Sequence, residues 1–136
     1  MNIKLFSTKN YGNDIALLLL RMTFGGLLFF DHGIGKINKL HQDPVKFMDF
    51  LGLGPEISLY LVVFAEAICA LLVAFGLVTR LACIPVIITF LVVLFVSKAG
   101  EPFKEIELPL MYLLSFIILF ITGPGKYSVD RMLDKN

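Results

Sequence analysis

Arg21 and Glu66 lie inside runs that are otherwise apolar. These residue types can hydrogen-bond an oxygen, hold a counter-charge or relay a proton in a membrane interior. A charge at the centre of hydrocarbon costs about 2.5 to 3.5 kcal/mol on insertion scales, so it normally faces a partner or a wet cavity. At 1.5 Å of rise per residue, Arg21 lies about 10 Å and Glu66 about 16 Å from the side of the membrane that holds the termini. Both side chains are long enough to bridge that offset. The sequence therefore predicts a buried Arg21–Glu66 pair, with Tyr112 and Ser115 as further hydrogen-bond partners. A structural reading stands beside the functional one, because buried polar residues also fix helix register in membranes.

Two more groups share this logic. On a helical wheel Arg21, Gly25, His32 and Lys36 fall within an arc of about 60°, giving the first helix one polar face. Away from the termini, Asp31, His32 and Lys36 should approach Glu105 and Glu107, with Lys36–Glu107 the expected pair; an ordinary interfacial belt of charges is the plainer alternative. At the termini side Arg80 and Asp130 should meet and hold the tail to the bundle. His32 and His41 belong to one helix end and its loop, so they cannot clamp a haem from opposing helices. No HExxH, no Glu-x-x-His pair and no facing carboxylate cluster suggests a metal. Cys69 and Cys83 form no CxxC and read as small buried apolar residues. Phenylalanines such as Phe24, Phe90 and Phe116 have the shape to line a site for a flat ring, but core packing or lipid contact is the better explanation for most of them.

These residues need elements to position them, and composition says which. The chain has 136 residues, 57% of them hydrophobic, a mean hydropathy of +0.84 and a net charge of +1. That is more apolar surface than a small soluble core hides, and it predicts an integral membrane protein of one domain over residues 1–136. The balanced charge leaves no footprint for nucleic acid or for strong attraction to anionic lipid. The expected fold is all-α, an antiparallel four-helix membrane bundle with both termini on one side. Its spans are about 15–36, 57–77, 81–97 and 107–122. Arg21 inside the first run, and no small-residue cleavage site after it, indicate a retained span. Gly76 and Thr79-Arg80 make the hairpin between spans two and three. Pro85 and Pro109 fall near the first turns of spans three and four, and Gly123-Pro124-Gly125 stops the last. Residues 128–136 form a polar tail. Lys4, Lys9, Arg80, Lys126, Arg131 and Lys135 on the termini side, against Lys36, Lys39, Lys46, Lys98 and Lys104, favour cytoplasmic termini by one charge.

Taken in order, Leu20-Arg21-Met22, Gly33-Ile34-Gly35-Lys36, Phe64-Ala65-Glu66-Ala67, Gly76-Leu77-Val78-Thr79-Arg80, Glu107-Leu108 and Gly123-Pro124-Gly125-Lys126-Tyr127-Ser128-Val129-Asp130 resemble the DoxX family. The resemblance implies a four-helix protein of the bacterial inner membrane. It also implies association with quinone-dependent redox systems, as a small subunit of a terminal quinol oxidase or of thiosulfate:quinone oxidoreductase, or with membrane oxidoreductase complexes in oxidative stress. Carried onto this chain, the family's polar positions are Arg21, Lys36, Glu66, Arg80, Glu107 and Asp130. In a quinone-interacting subunit Arg21 would bind a carbonyl and Glu66 would relay a proton. With no flavin fingerprint, haem pair or iron–sulfur cysteine set, electrons would come from a partner protein. The alternative is a non-catalytic module that binds lipid or assembles a partner. The expected partners are the lipid bilayer, a redox protein and further copies of the chain. A transporter fits less well, since four short spans carry no inverted repeat.

Overall fold

In hydrocarbon an apolar run satisfies its backbone by becoming a helix. The computed structural model describes residues 12–49 and 52–134. Among these, α1 (Asn13–Lys39), α2 (Pro55–Phe75), α3 (Thr79–Ser97) and α4 (Phe103–Thr122) are each long and apolar enough to cross a membrane. A short α5 (Val129–Asp134) follows. No strand occurs among the described residues. Lys4, Lys9 and Lys135, part of the charge balance used for orientation, fall outside them.

The helices extend past several of the expected bounds. Because α3 starts at Thr79 and α4 at Phe103, Pro85 and Pro109 are each the seventh residue of a helix and not first-turn residues. Each lacks an N–H, so the carbonyl four residues earlier, of Leu81 or Glu105, has no helical donor. Thr89 Oγ1 donates to the Pro85 carbonyl at 2.8 Å, which ties down the following turn.

The helices alternate in direction. Gly76, at φ 76°, ends α2, with the Leu77 N–H donating to the Leu72 carbonyl at 2.8 Å and the Gly76 N–H to Val73 at 3.0 Å. This is the glycine-based stop that satisfies a helix's last carbonyls. The Lys126 N–H donates to Asp14 Oδ1 at 2.9 Å, which brings the exit of α4 to the start of α1. We call this the termini end. The other is the loop end, where α1 gives way to α2 and α3 to α4.

α1 lies against α2 through glycine. A Cβ on Gly25 would stand 2.9 Å from the Ala70 carbonyl oxygen, and one on Gly33 would stand 2.6 Å from that of Glu66. Small residues at such contacts let helix backbones approach and gain dispersion, which replaces the hydrophobic drive that lipid removes. Leu28, Val73, Val86, Phe116 and Leu119 fill the centre with no exposed surface. Phe90 stacks on Tyr112 with centroids 5.2 Å apart and planes at 11°, while Phe24 meets the same tyrosine edge-on at 5.8 Å. Leu19, Phe30, Leu81, Phe95 and Ile121 point outwards, as lipid-facing side chains should.

Candidate functional site

The polar face of α1 is divided between two ends of the bundle. Arg21 is 1% exposed and Glu66 3%, so both are buried as expected. They do not pair. Arg21 donates to the Ala74 carbonyl at 2.7 Å and to the Tyr127 carbonyl at 2.6 Å. Its cation therefore rests at the C-terminal end of α2, where unsatisfied carbonyls concentrate negative potential, and it also holds the chain leading to α5. Ala74 and Glu66 are eight residues apart, about 12 Å along a helix axis, and that separation takes Glu66 out of reach.

Glu66 instead receives Lys36. The Nζ–Oε2 distance is 2.8 Å, with the side chains 21% and 4% exposed respectively. The expected Lys36–Glu107 pair is absent, and Glu107 is exposed. The reason is the flush contact at Gly33, which sets the turn of α1 leading to Lys36 against the Glu66 backbone. Neither Tyr112 nor Ser115 reaches the charges as expected. Ser115 Oγ donates back to the Met111 carbonyl at 2.7 Å, and the Tyr112 ring packs among Phe24, Phe90 and His32. Lys98 approaches Glu105 at 3.9 Å, a loose and partly exposed pair.

Arg80 and Asp130 do come to the same corner, but as neighbours. Asp130 accepts the Val78 N–H at 2.7 Å and the Thr79 N–H at 2.9 Å, and its own N–H donates to the Gly76 carbonyl at 2.8 Å. A carboxylate on the first amides of α3 satisfies donors that have no helical acceptor and complements the helix dipole. Arg80 lies over the end of α4, 3.4 Å from the Ile121 carbonyl. The tail is thus fastened, through backbone groups and not through an arginine–aspartate pair.

The Lys36–Glu66 bridge borders a cavity of about 230 Å³ at the loop end. His32, Thr89 and Lys98 add polar groups to its lining, and Val62, Phe90, Val93 and Pro109 add apolar ones. Phe47 and Met48, from the connection between α1 and α2, border it too. Three stretches in this region switch to wider i→i+5 hydrogen bonding: Leu28–Gly33, Phe64–Cys69 and Val93–Ser97. They carry His32, Glu66, Val93 and Ser97, all of which line the cavity. Such turns bulge a helix and re-aim side chains, and they recur at functional sites.

Sequence reasoning missed Thr89, Val62 and the loop residues Phe47 and Met48, which carry no charge signal. It also missed the closeness of Gly33 to Glu66. Gly25 and Gly33, eight residues apart on or beside the Arg21 face, were the available sign of a tight helix contact. Among the described residues no group of three or more histidines, cysteines or carboxylates is placed to hold a metal. Cys69 and Cys83 are free and buried.

Four apolar spans around a buried ion pair and a mostly apolar cavity define an integral membrane protein with a lipid bilayer as its surroundings. The chain belongs to the DoxX family, whose profile matches residues 16–99. It is 31% identical over 127 residues to a Bacillus subtilis (strain 168) protein named "Putative oxidoreductase CatD", covering 93% of this chain and 92% of that one. To the "Inner membrane protein YqjF" of Escherichia coli (strain K12) it is 31% identical over 128 residues, covering 90% of this chain and 95% of the relative. The "Uncharacterized membrane protein Rv3486" of Mycobacterium tuberculosis is 31% identical over 127 residues, with 81% and 77% covered. No solved structure matches.

Proposed function

We propose that this chain is a small accessory subunit of a quinone-linked oxidoreductase system in the bacterial inner membrane, and that the loop-end cavity receives the quinone head group. The observation that carries the reading is the position of the Lys36–Glu66 bridge, buried between helices yet on the wall of a cavity with aromatic and aliphatic sides. The name of the CatD relative supports an oxidoreductase association, and that of YqjF supports the inner membrane. Arg21, which the sequence favoured as the carbonyl-binding group, has its guanidinium bonded to main-chain carbonyls at the other end, and Lys36 takes that role here.

The residues present fit a head group with carbonyl oxygens on a flat ring. Lys36 has three N–H donors and uses one on Glu66, so others remain for a carbonyl. Glu66 Oε1 has no hydrogen-bond partner among the described residues, which leaves an acceptor for a hydroxyl proton. Phe90, itself backed by Tyr112, offers a ring face. A bound quinone would supply two-electron, two-proton carrier chemistry, with electrons delivered by a partner protein. Within that scheme Lys36 orients the head group, Glu66 holds or releases the proton, and the surrounding apolar side chains exclude bulk water.

The test is mass spectrometry of small molecules co-purifying with the chain in native-lipid particles, comparing wild type with Glu66→Gln and the Lys36→Met/Glu66→Met double variant. The expected result is about one quinone per wild-type chain and loss of it from both variants while helicity is retained. Quinone present only at its share of the bulk lipid in all three proteins would overturn the reading and favour a non-catalytic module.

A further inference from the structure

The termini end has two hollows that share residues. An open polar cleft of about 450 Å³ is lined by Thr79, Arg80 and Arg131 together with Val78 and Leu81. Val78 and Leu81 also line an apolar groove of about 290 Å³ that continues past Leu72, Ile84 and Pro85 on α2 and α3. A charged hollow at the end of the spans that runs into an apolar groove along them has the outline of a phospholipid, head first and chain after.

The charges are available. Neither Arg80 nor Arg131 forms an ion pair among the described residues. Arg80 makes one long contact, to Ile121, and Arg131 is held through its backbone N–H on Ser128 Oγ, leaving its guanidinium without a partner among the described residues. Thr79, 1% exposed, has a hydroxyl with no hydrogen-bond partner among the described residues and lies on the cleft wall. Two carboxylates share the cleft. Asp130 is bonded to the Val78 and Thr79 amides, so Asp134, exposed at the last residue of α5, is the one that competes for the arginines. Leu81, in the cleft wall and 68% exposed, offers surface suited to an acyl chain.

We propose that this joined hollow binds one anionic phospholipid, with the phosphate between Arg80 and Arg131 and an acyl chain in the groove. Guanidinium groups match phosphate oxygens in bidentate geometry, and basic pockets at span ends recognise lipid head groups. This is one local site, whereas the net charge of +1 gives the chain as a whole no strong attraction to anionic lipid. It is also independent of the quinone cavity at the other end.

Native mass spectrometry of the detergent-solubilised full chain tests it, with phosphatidylglycerol and phosphatidylcholine of matched chains offered together and glycerol 3-phosphate in a separate arm. Wild type should retain phosphatidylglycerol over phosphatidylcholine. Arg131→Gln should lower that retention about fivefold, and Arg80→Gln with Arg131→Gln should lower it further. Ile84→Trp, which fills the groove, should weaken both lipids. Equal retention of the two lipids by wild type would overturn the site, as would unchanged retention in Arg131→Gln. Binding of glycerol 3-phosphate as tight as that of the lipid would show that the groove takes no part, and would overturn the lipid assignment. Arg131 is exposed, so its single variant decides the matter even if the double variant fails to fold.

Discussion

The two ends of the bundle use the same kinds of residue for opposite purposes. At the termini end Arg21 and Asp130 bond to main-chain groups of the α2–α3 hairpin and of the segment before α5. At the loop end Lys36 and Glu66 bond to each other beside a cavity. A side chain bonded to backbone at a helix end replaces a missing helical partner, and it cannot leave without exposing that group. A side-chain pair on a cavity wall can admit a third group between its members. Buried charge therefore does not by itself mark a site in this protein; the nature of the partner does.

The largest effects should come from separating the two kinds of charge. Lys36→Met leaves the Glu66 carboxylate buried and unpaired, a loss of about 3 to 5 kcal/mol where such pairs have been broken. Adding Glu66→Met should recover most of it, because two apolar residues of similar volume replace the pair. Arg21→Met should cost about 1 to 3 kcal/mol for each carbonyl left unsatisfied, and no second side-chain change should rescue it, since its partners are main chain. Thermal unfolding in detergent for the three variants checks the contrast. Failure of the loop-end double variant to recover would mean that the Lys36–Glu66 bridge is tied into more than its own pair.

The glycine contact sharpens the comparison, since it sets the loop-end geometry. Gly33→Leu must displace the Glu66 carbonyl or push α1 away, at about 1 to 3 kcal/mol for overpacking, and it should also break the Lys36–Glu66 bridge. Gly35→Leu, two residues on and with nothing within 4 Å of its Cβ position, should leave stability within error. Equal melting temperatures for the two variants would refute the close approach of α1 to α2.

Much of the fold was legible because hydropathy and length act through general rules: lipid demands helices, and glycine with proline ends them. The family was legible from short segments in order. Pairing was not. Arg21 and Glu66 appeared matched because a wheel and a rise per residue assign depth from each helix alone. They ignore how the wide turns at Leu28–Gly33 and Phe64–Cys69, and the contact at Gly33, shift one helix against the other. The same shift gave Lys36 to Glu66 and left Glu107 exposed. Thr89, Val62 and Phe47 were invisible as cavity residues, because nothing in their type separates a cavity wall from packing.

A smaller effect belongs to the termini end. Asp130→Asn keeps the shape but leaves one acceptor oxygen where the Val78 and Thr79 amides use two, so one amide loses its partner, the other loses charge assistance, and about 1 to 2 kcal/mol should be lost. Hydrogen exchange locates the loss: the Val78 and Thr79 amides should exchange faster, while amides around Glu66 stay as they were. Faster exchange at both ends together would show that the two ends unfold as one unit and have no separate stabilities.

The smallest expected change is a gain. Val78 sits at φ 44° and ψ 45°, a left-handed conformation that a β-branched residue resists, and Asp130 bonds its N–H at 2.7 Å. Left-handed geometry costs an L-residue roughly 1 to 2 kcal/mol, and glycine escapes it at some cost in unfolded-chain entropy. Val78→Gly should therefore stabilise the hairpin by somewhat under 1 kcal/mol, net of that entropy and of the lost packing. In an Asp130→Asn background the gain should shrink, because with the aspartate bond weakened Val78 can relax out of the strained conformation and leaves glycine less to relieve. A double-mutant cycle on melting temperature reads this coupling. If the two changes simply add, Asp130 holds the tail alone and the strain at Val78 is sustained by the Gly76 turn.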